Sequence, residues 1–502
     1  MNSDKHYFSR LLRKNIWIYF FSFIIAPTGY VVKIVISNSV SVEELGLLYA
    51  VMSFMTILGS YNDFGMTESL NYFLPGYVHD KNAKKITNTV SIALVTQMAS
   101  TSLLALGMFF GASWLNDHYF HSTGQATILL HILILQFFAD NIFRTISTFF
   151  QAIQDTRSQK GMDFFRMLLL MCIVCGLWFF DLHTVENYAW AWSLSVTIAV
   201  FLSIFVIVSK YRSYFTFSGW KFDKSEYMRV FKYAFWVMLS ANVGMLLSQI
   251  DMQMVVYMLG AESAGYYTNY LSLIRIPFLF LLPGVYFLFP VFSDLLKRGE
   301  ERKVVAIHAF CYELFSIAGL MMASFFVLFG DTLTTTLFGD GFSTSAQILL
   351  YSSPFLLFNF LLQIDFQILS ASGRPRTKMY ILLAGVCVNI VTNYIFIHKW
   401  GVVGSAFASG IGWVFIWILS FQQTKKYAAS FRWPIFFQNL VGIILLSWAL
   451  RHLHLEDFLS GRLQLFSGIV GILFLYTLVF VSLNWTEFRR FQRIFRSKHI
   501  IG

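Results

Sequence analysis

The chain has 502 residues, of which 57% are hydrophobic, 19% aromatic and only 13% charged, with a mean hydropathy of +0.62. Such a make-up excludes an ordinary soluble globular protein and makes lipid the solvent. The formal net charge of +11 is read as a record of membrane topology rather than as a nucleic-acid surface, because basic residues beside apolar spans report orientation.

A hydrocarbon core of roughly 30 Å needs about 20 apolar residues per helix. Taken in chain order, the predicted spans are 16–37, 45–75, 87–112, 126–151, 162–180, 187–209, 232–258, 266–292, 304–329, 345–370, 378–397, 402–421, 435–450 and 464–483. The first follows a basic N-terminus as a signal peptide would, but it is long and lacks a small-residue cleavage site, so it reads as a retained helix. Pro27-Thr28-Gly29 within it, and Pro283-Gly284 in the eighth span, interrupt helix hydrogen bonding and are candidate hinges or static kinks. Gly401, Gly404, Ser405, Ala408, Ser409 and Gly412 give the twelfth span a small face suited to close helix packing. Cys172, Cys175, Cys311 and Cys387 all sit in apolar stretches. The Cys172/Cys175 pair has no second pair and no nearby His, so neither a metal nor a cofactor is expected.

The loops alternate sharply in charge. One set, which includes both chain ends, carries 30 Lys and Arg, whereas the other carries only Lys399, Arg451 and Arg462. The positive-inside rule places both termini in the cytoplasm and requires an even number of spans. The longest basic break, from Lys210 to Lys232, includes Tyr211, Tyr214, Phe215, Phe217 and Trp220 and suits a segment lying on an anionic leaflet. The expected organisation is an all-α integral membrane protein of about 14 transmembrane helices. It comprises an N-terminal six-helix lobe (1–209), a linker (210–231), a C-terminal six-helix lobe (232–422) and a terminal helix pair with a basic tail (423–502). Val42-Glu43-Glu44-Leu45-Gly46-Leu47 recurs as Ala261-Glu262-Ser263-Ala264-Gly265-Tyr266, as expected of parallel repeats related by an axis along the membrane normal.

Ionisable groups inside spans are costly, about 2.5–3.5 kcal/mol each at mid-bilayer, and normally face protein or water. The four cations so placed are Lys33, Arg144, Arg166 and Arg275, with Arg166 near enough to an edge to snorkel. Gln136, Asp140 and Arg144 share one helix face, where Asp140 can pair with Arg144. Asp63, Asp140, Asp251, Glu313 and Asp365 are candidate ion-coupling carboxylates or members of structural ion pairs. Asn242, Gln249 and Gln253 share a face of the seventh span, with Asp251 opposite, and Asn359, Gln363 and Gln367 share one in the tenth. Each stripe suits either sugar binding or interhelical hydrogen bonding.

Several runs resemble the polysaccharide transporter (O-antigen flippase) branch of the multidrug/oligosaccharidyl-lipid/polysaccharide exporter superfamily. They are Glu43-Glu44-Leu45-Gly46-Leu47-Leu48-Tyr49, Asp63-Phe64-Gly65-Met66, Gln249-Ile250-Asp251, Leu259-Gly260-Ala261-Glu262-Ser263-Ala264-Gly265-Tyr266-Tyr267, Phe289-Pro290, Ala371-Ser372-Gly373-Arg374-Pro375-Arg376, Asn389 with Asn393, and Trp400-Gly401-Val402-Val403-Gly404-Ser405-Ala406. The resemblance covers roughly residues 10–425 in order. It implies two six-helix bundles facing a central cavity, alternating access, and an undecaprenyl-diphosphate-linked oligosaccharide as substrate in a bacterial inner membrane. It also implies a glycan polymerase and a chain-length regulator as candidate partners, beside membrane lipids, and a chain able to work as a monomer.

Under that resemblance Lys33 and Arg275 match the family's cavity cations, one per half. They are the first candidates for holding the diphosphate, followed by Arg144, with Asn242, Gln249, Asn359 and Gln363 as glycan contacts. Two alternatives are open. A membrane-embedded glycan polymerase, ligase or acyltransferase would need sizeable outward loops with clustered catalytic groups. Here only Asp117/His118/His121 and His452/His454/Glu456/Asp457 cluster, without a nucleophile or metal spacing. A drug or cation exporter of the same superfamily would favour acidic over basic cavity groups.

Overall fold

The computed structural model describes residues 24–216, 224–427 and 433–452, together with Phe21 and Gly471. Apart from Gly471, the fourteenth predicted span lies outside the described residues, as do the basic tail and residues 217–223 of the linker. The described secondary structure is helical, without a strand. In chain order the helices are α1 Ile24–Ser37, then α2 Val42–Asn62, α3 Met66–His79, α4 Ala83–Leu115, α5 Gln125–Ala152, α6 Thr156–Phe179, α7 Val185–Lys210 and α8 Lys224–Leu259. They continue with α9 Ala261–Ile274, α10 Ile276–Lys297, α11 Glu301–Phe338, α12 Ser343–Ser352, α13 Leu356–Ala371, α14 Pro375–Thr424 and α15 Trp433–His452. Eight described helices are long and apolar enough to cross a membrane, or nine if a bent pair counts as one span. The chain is an all-α, multi-pass integral membrane protein.

Short polar side chains start the helices. Ser41 and Glu44 form a reciprocal capping box on α2, and Asn82, Asp155 and Thr184 cap α4, α6 and α7. Several predicted spans are discontinuous. The second breaks between α2 and α3, where Phe64 and Gly65 have φ of 44° and 74°; Gly65 adopts this left-handed backbone at no steric cost. The tenth tightens into a 3-10 turn at Pro354 between α12 and α13 but runs on as one candidate span, Asp340–Ala371. In the eighth, the axis bends by 48° between Ala261–Leu279 and Gly284–Lys297, beside the Pro283-Gly284 pair. The eleventh and twelfth spans appear as α14, whose backbone leaves helical geometry at Gly401 (φ 59°, ψ −143°). Gly412 lies against Asn389, Gly385 against Ile416 and Gly404 against the Phe396 carbonyl. The two halves of α14 therefore fold back on each other, and the small face of the second half is what permits it.

The helices gather into two compact units, residues 1–265 and 266–502. In the first unit α5 is central. Ile146, Phe149 and Phe150 pack with Met66, Leu70 and Leu74 of α3, Ile86 and Val90 of α4 and Val230 and Ala234 of α8. Large apolar side chains such as Leu103, Phe110, Phe179, Phe201 and Phe205 stay exposed on the outside, as expected where lipid is the solvent. The linker residues Tyr211, Tyr214 and Phe215 pack on Phe149, and the Thr216 amide donates to Thr87 Oγ1 at 2.9 Å. This described part of the linker is thus docked on α4 and α5 through its aromatic rings.

The short repeat meets itself within this unit. A Cβ on Gly46 would collide with the Ala261 carbonyl, and one on Gly265 with the Val42 carbonyl. Val42 and Ala261 are equivalent repeat positions, as are Gly46 and Gly265, so the contact is reciprocal and requires glycine at both places.

In the second unit α11 packs on α12, α13 and α15, while α13 also meets α10 and α14. Gly319 lets α11 approach the Leu357 backbone, where a Cβ would lie 2.7 Å from its Cα. Tyr312, Phe338 and Phe360 are among the largest fully buried side chains there.

Candidate functional site

Lys33 is the most deeply buried of the four intramembrane cations, at 5% exposure. It lies one turn before the end of α1, and its Nζ stands 3.4 Å above the centre of the Tyr49 ring on α2. The ring face supplies electron density that offsets part of the ammonium's desolvation. The Ser41 capping box fixes where α2 begins and hence where Tyr49 meets Lys33. Arg275 belongs to the second unit, where it is exposed at the break between α9 and α10.

Asp140 pairs not with Arg144 but with Arg166, whose Nη1 lies 3.3 Å from Asp140 Oδ1. Gln136 donates to the other carboxylate oxygen at 3.2 Å, and the Arg166 guanidinium also lies over the Phe143 ring. The expected i,i+4 pair loses because α6 delivers an Arg across the helix interface with better reach. Arg144 is instead exposed, with Nη1 3.5 Å from the Gly59 carbonyl of α2.

The amide stripe of the seventh span bonds across to α2 and to Tyr119. Asn242 donates to the Ser60 carbonyl at 2.7 Å, Gln249 accepts from Ser53 at 2.8 Å, and Gln253 donates to the Ala50 carbonyl at 3.1 Å while accepting from Tyr119. These bonds zip α8 to α2. Asn359 and Gln363 bond to each other at 3.0 Å and are half-buried on α13. Asp251 is buried on α8 and Glu313 half-buried on α11. Pro27 is exposed in the regular helix α1, and Gly29 gives room for Met167 of α6.

Two polar clusters contain residues that the sequence reading passed over. In the second unit Asp365 is fully buried and is met by His308 Nε2 at 3.3 Å, by Thr424 Oγ1 at 2.8 Å and by the Tyr312 hydroxyl. This joins α11, α13 and α14. In the first unit Asp63 accepts from Gln97 Nε2 and from the Thr67 hydroxyl and amide, and Thr145 in turn donates to Gln97 Oε1. The signal available for both clusters was a polar side chain alone in an apolar run, His308 in the ninth span and Gln97 in the third.

With this geometry in hand, comparison with known proteins gives the class first. The fold is that of the MOP transporters. A solved structure of the lipid II flippase MurJ in an inward closed conformation matches 93% of this chain and 99% of its own, at 13% identity and a TM-score of 0.72. An inward-facing multidrug resistance MATE family transporter of the MOP superfamily matches 82% of this chain and 98% of its own, at 14% identity and a TM-score of 0.69. An uncharacterized membrane protein of Methanocaldococcus jannaschii is 24% identical over 421 residues, 80% of this chain and 82% of that protein. Residues 11–296 match the polysaccharide biosynthesis protein family, and the chain belongs to it.

Proposed function

We propose that this protein is a flippase that moves an undecaprenyl-diphosphate-linked oligosaccharide from the cytoplasmic to the outer leaflet of a bacterial inner membrane, without chemical change to the substrate. It does so by alternating access of the lobes 1–209 and 232–422, with both termini in the cytoplasm and residues 423–502 as an accessory helix pair. The O-antigen, capsule or exopolysaccharide type of repeat unit is its cargo, and a polymerase with its chain-length regulator takes the product. The observation that carries the reading is Lys33, a cation held at 5% exposure inside an apolar span of a polysaccharide-biosynthesis family member. A buried ammonium is matched to an anionic headgroup, which it can bind in place of water. Arg275, exposed at a helix break of the second unit, and Arg144 of the first are the further cations assigned to the anionic substrate in this reading.

The test is transport of a fluorescent polyprenyl-diphosphate oligosaccharide in proteoliposomes. The intact protein is expected to move it, whereas Lys33→Glu and Arg275→Glu, correctly inserted, lower the rate at least tenfold. Undiminished transport in both variants would overturn the site, and export of cationic drugs with no glycolipid movement would overturn the function.

A further inference from the structure

We propose that Asp63 is a proton-binding site, and that the proton controls the bend between α2 and α3. Asp63 is 7% exposed and sits at the break between α2 and α3, beside the left-handed Phe64 and Gly65. A carboxylate so placed normally has a cationic partner. The bonds made to Asp63 among the described residues come instead from neutral groups, namely Gln97 Nε2, the Thr67 hydroxyl at 3.0 Å and the Thr67 amide at 3.2 Å. Among the described residues, the charged groups and histidines on the elements around it are Glu43 and Glu44 on α2, Glu68 and His79 on α3, Lys84 and Lys85 at the start of α4, His131, Asp140 and Arg144 on α5, and Lys224, Arg229, Lys232 and Asp251 on α8. Of these, Arg144 reaches α2 at the Gly59 carbonyl, one turn before Asp63.

The hydrogen-bond chain is built to work in both protonation states. With Asp63 ionised, Thr145 donates to Gln97 Oε1 and Gln97 Nε2 donates to Asp63. When a proton from water binds the carboxylate, the Gln97 amide turns over. Asp63 then donates to Oε1, and Nε2 donates to Thr145 Oγ1. The Thr145 hydroxyl donates to the Asn141 carbonyl, which already lies 3.2 Å away. No member of the Asp63, Gln97 and Thr145 chain loses its partner, so uptake of a proton leaves no buried polar group in it unsatisfied.

The mechanical consequence lies in the first turn of α3. The ionised carboxylate holds the Thr67 amide and opposes the positive end of that helix, and protonation weakens both interactions. The start of α3 is wedged against α8, because Gly65 abuts the Ala234 carbonyl and Ser69 donates to the Val230 carbonyl at 3.3 Å. A change of bend at Asp63 therefore reaches α8 directly.

The test uses pH-difference infrared spectroscopy on the full-length protein in lipid nanodiscs, with the proton itself as the ligand, so its outcome is independent of the glycolipid reading. Acidification is expected to raise a carboxylic-acid carbonyl band that Asp63→Asn abolishes and Gln97→Leu shifts in frequency. Asparagine mimics the protonated acid, and Gln97→Leu retains the carboxyl should Asp63→Asn fail to fold. The same band in the wild type and in Gln97→Leu, unshifted, would overturn the proposal. So would its removal by sodium chloride at constant pH, which would mark a sodium site.

Discussion

The junction of α5, α6 and α7 makes a quantitative test of the structure outside the spans. Asp155 caps α6 and accepts from the Ser158 amide and hydroxyl, from Lys210 at 3.2 Å and from the Tyr211 hydroxyl. Burial alone raises its pKa, but these hydrogen bonds outweigh burial and bring it from 3.8 to about 2. Each unit corresponds to about 1.4 kcal/mol, so Asp155→Asn is expected to cost about 1–2 kcal/mol at neutral pH once solvent screening is allowed for. The folded pKa is depressed, so the stabilisation is complete above the ordinary carboxylate pKa and disappears as pH falls through about 2. Equilibrium unfolding of wild type and Asp155→Asn in mixed micelles, repeated down the acid range, reads this directly. The Lys210 side chain is 61% exposed, so Lys210→Ala should cost under about 1 kcal/mol. A Lys210→Ala loss as large as that of Asp155→Asn, or a pH-independent Asp155→Asn loss, would refute the assignment to the neutral donors.

Three other perturbations probe the packing. Gly46→Leu and Gly265→Leu each force a side chain into a backbone carbonyl and should lower stability by about 1–3 kcal/mol in thermal unfolding, whereas Gly76→Ala, which meets open space, should be tolerated. Asp365→Ala leaves His308 and Tyr312 facing a void and should cost about 3–5 kcal/mol by denaturant titration, with Asp365→Asn recovering part of it. A double-mutant cycle of Asp140→Asn with Arg166→Gln should give a coupling of about 0.5–1 kcal/mol, whereas the cycle of Asp140→Asn with Arg144→Gln should give none.

Apolar length and loop punctuation made the helices legible, because a bilayer fixes both the length and the composition of what crosses it. The halves of α14 met the predicted eleventh and twelfth spans at Gly401, and the repeated Gly46 and Gly265 turned out to touch each other's helix. Local spacing was less informative about partners. An i,i+4 rule pairs Asp140 with Arg144, but nothing in the spacing of α5 reveals that α6 brings Arg166 to the same carboxylate. The seventh-span amides likewise needed the positions of Ser53, Ser60 and Ala50 on α2 before their hydrogen-bond partners could be named. Breaks within spans were half legible. Pro354 and Asp63-Phe64-Gly65 carry turn-forming residues, yet apolar runs hide a break because they stay apolar through it.

The intramembrane carboxylates differ by what meets them, and this decides what each can do. Asp140 faces the Arg166 guanidinium, which stays charged at any physiological pH, and this pair bridges α5 and α6. Asp365 faces a histidine, a tyrosine and a threonine with no exposure at all, and its removal strands partners on two other helices. That environment favours a fixed joint in the second unit. Of these three, Asp63 is the one that combines a helix break, half-buried Thr67 at the edge of the cluster and a chain of donors that can reverse. A charge paired with a guanidinium holds helices together, whereas the reversible donor chain proposed for Asp63 lets neutralisation occur without stranding a partner. The difference predicts opposite phenotypes for one type of substitution. Asparagine at 140 or 365 weakens the fold, whereas asparagine at 63 preserves the fold and fixes the protein in its protonated arrangement, which pH-dependent cysteine accessibility along α3 would reveal as a loss of pH response.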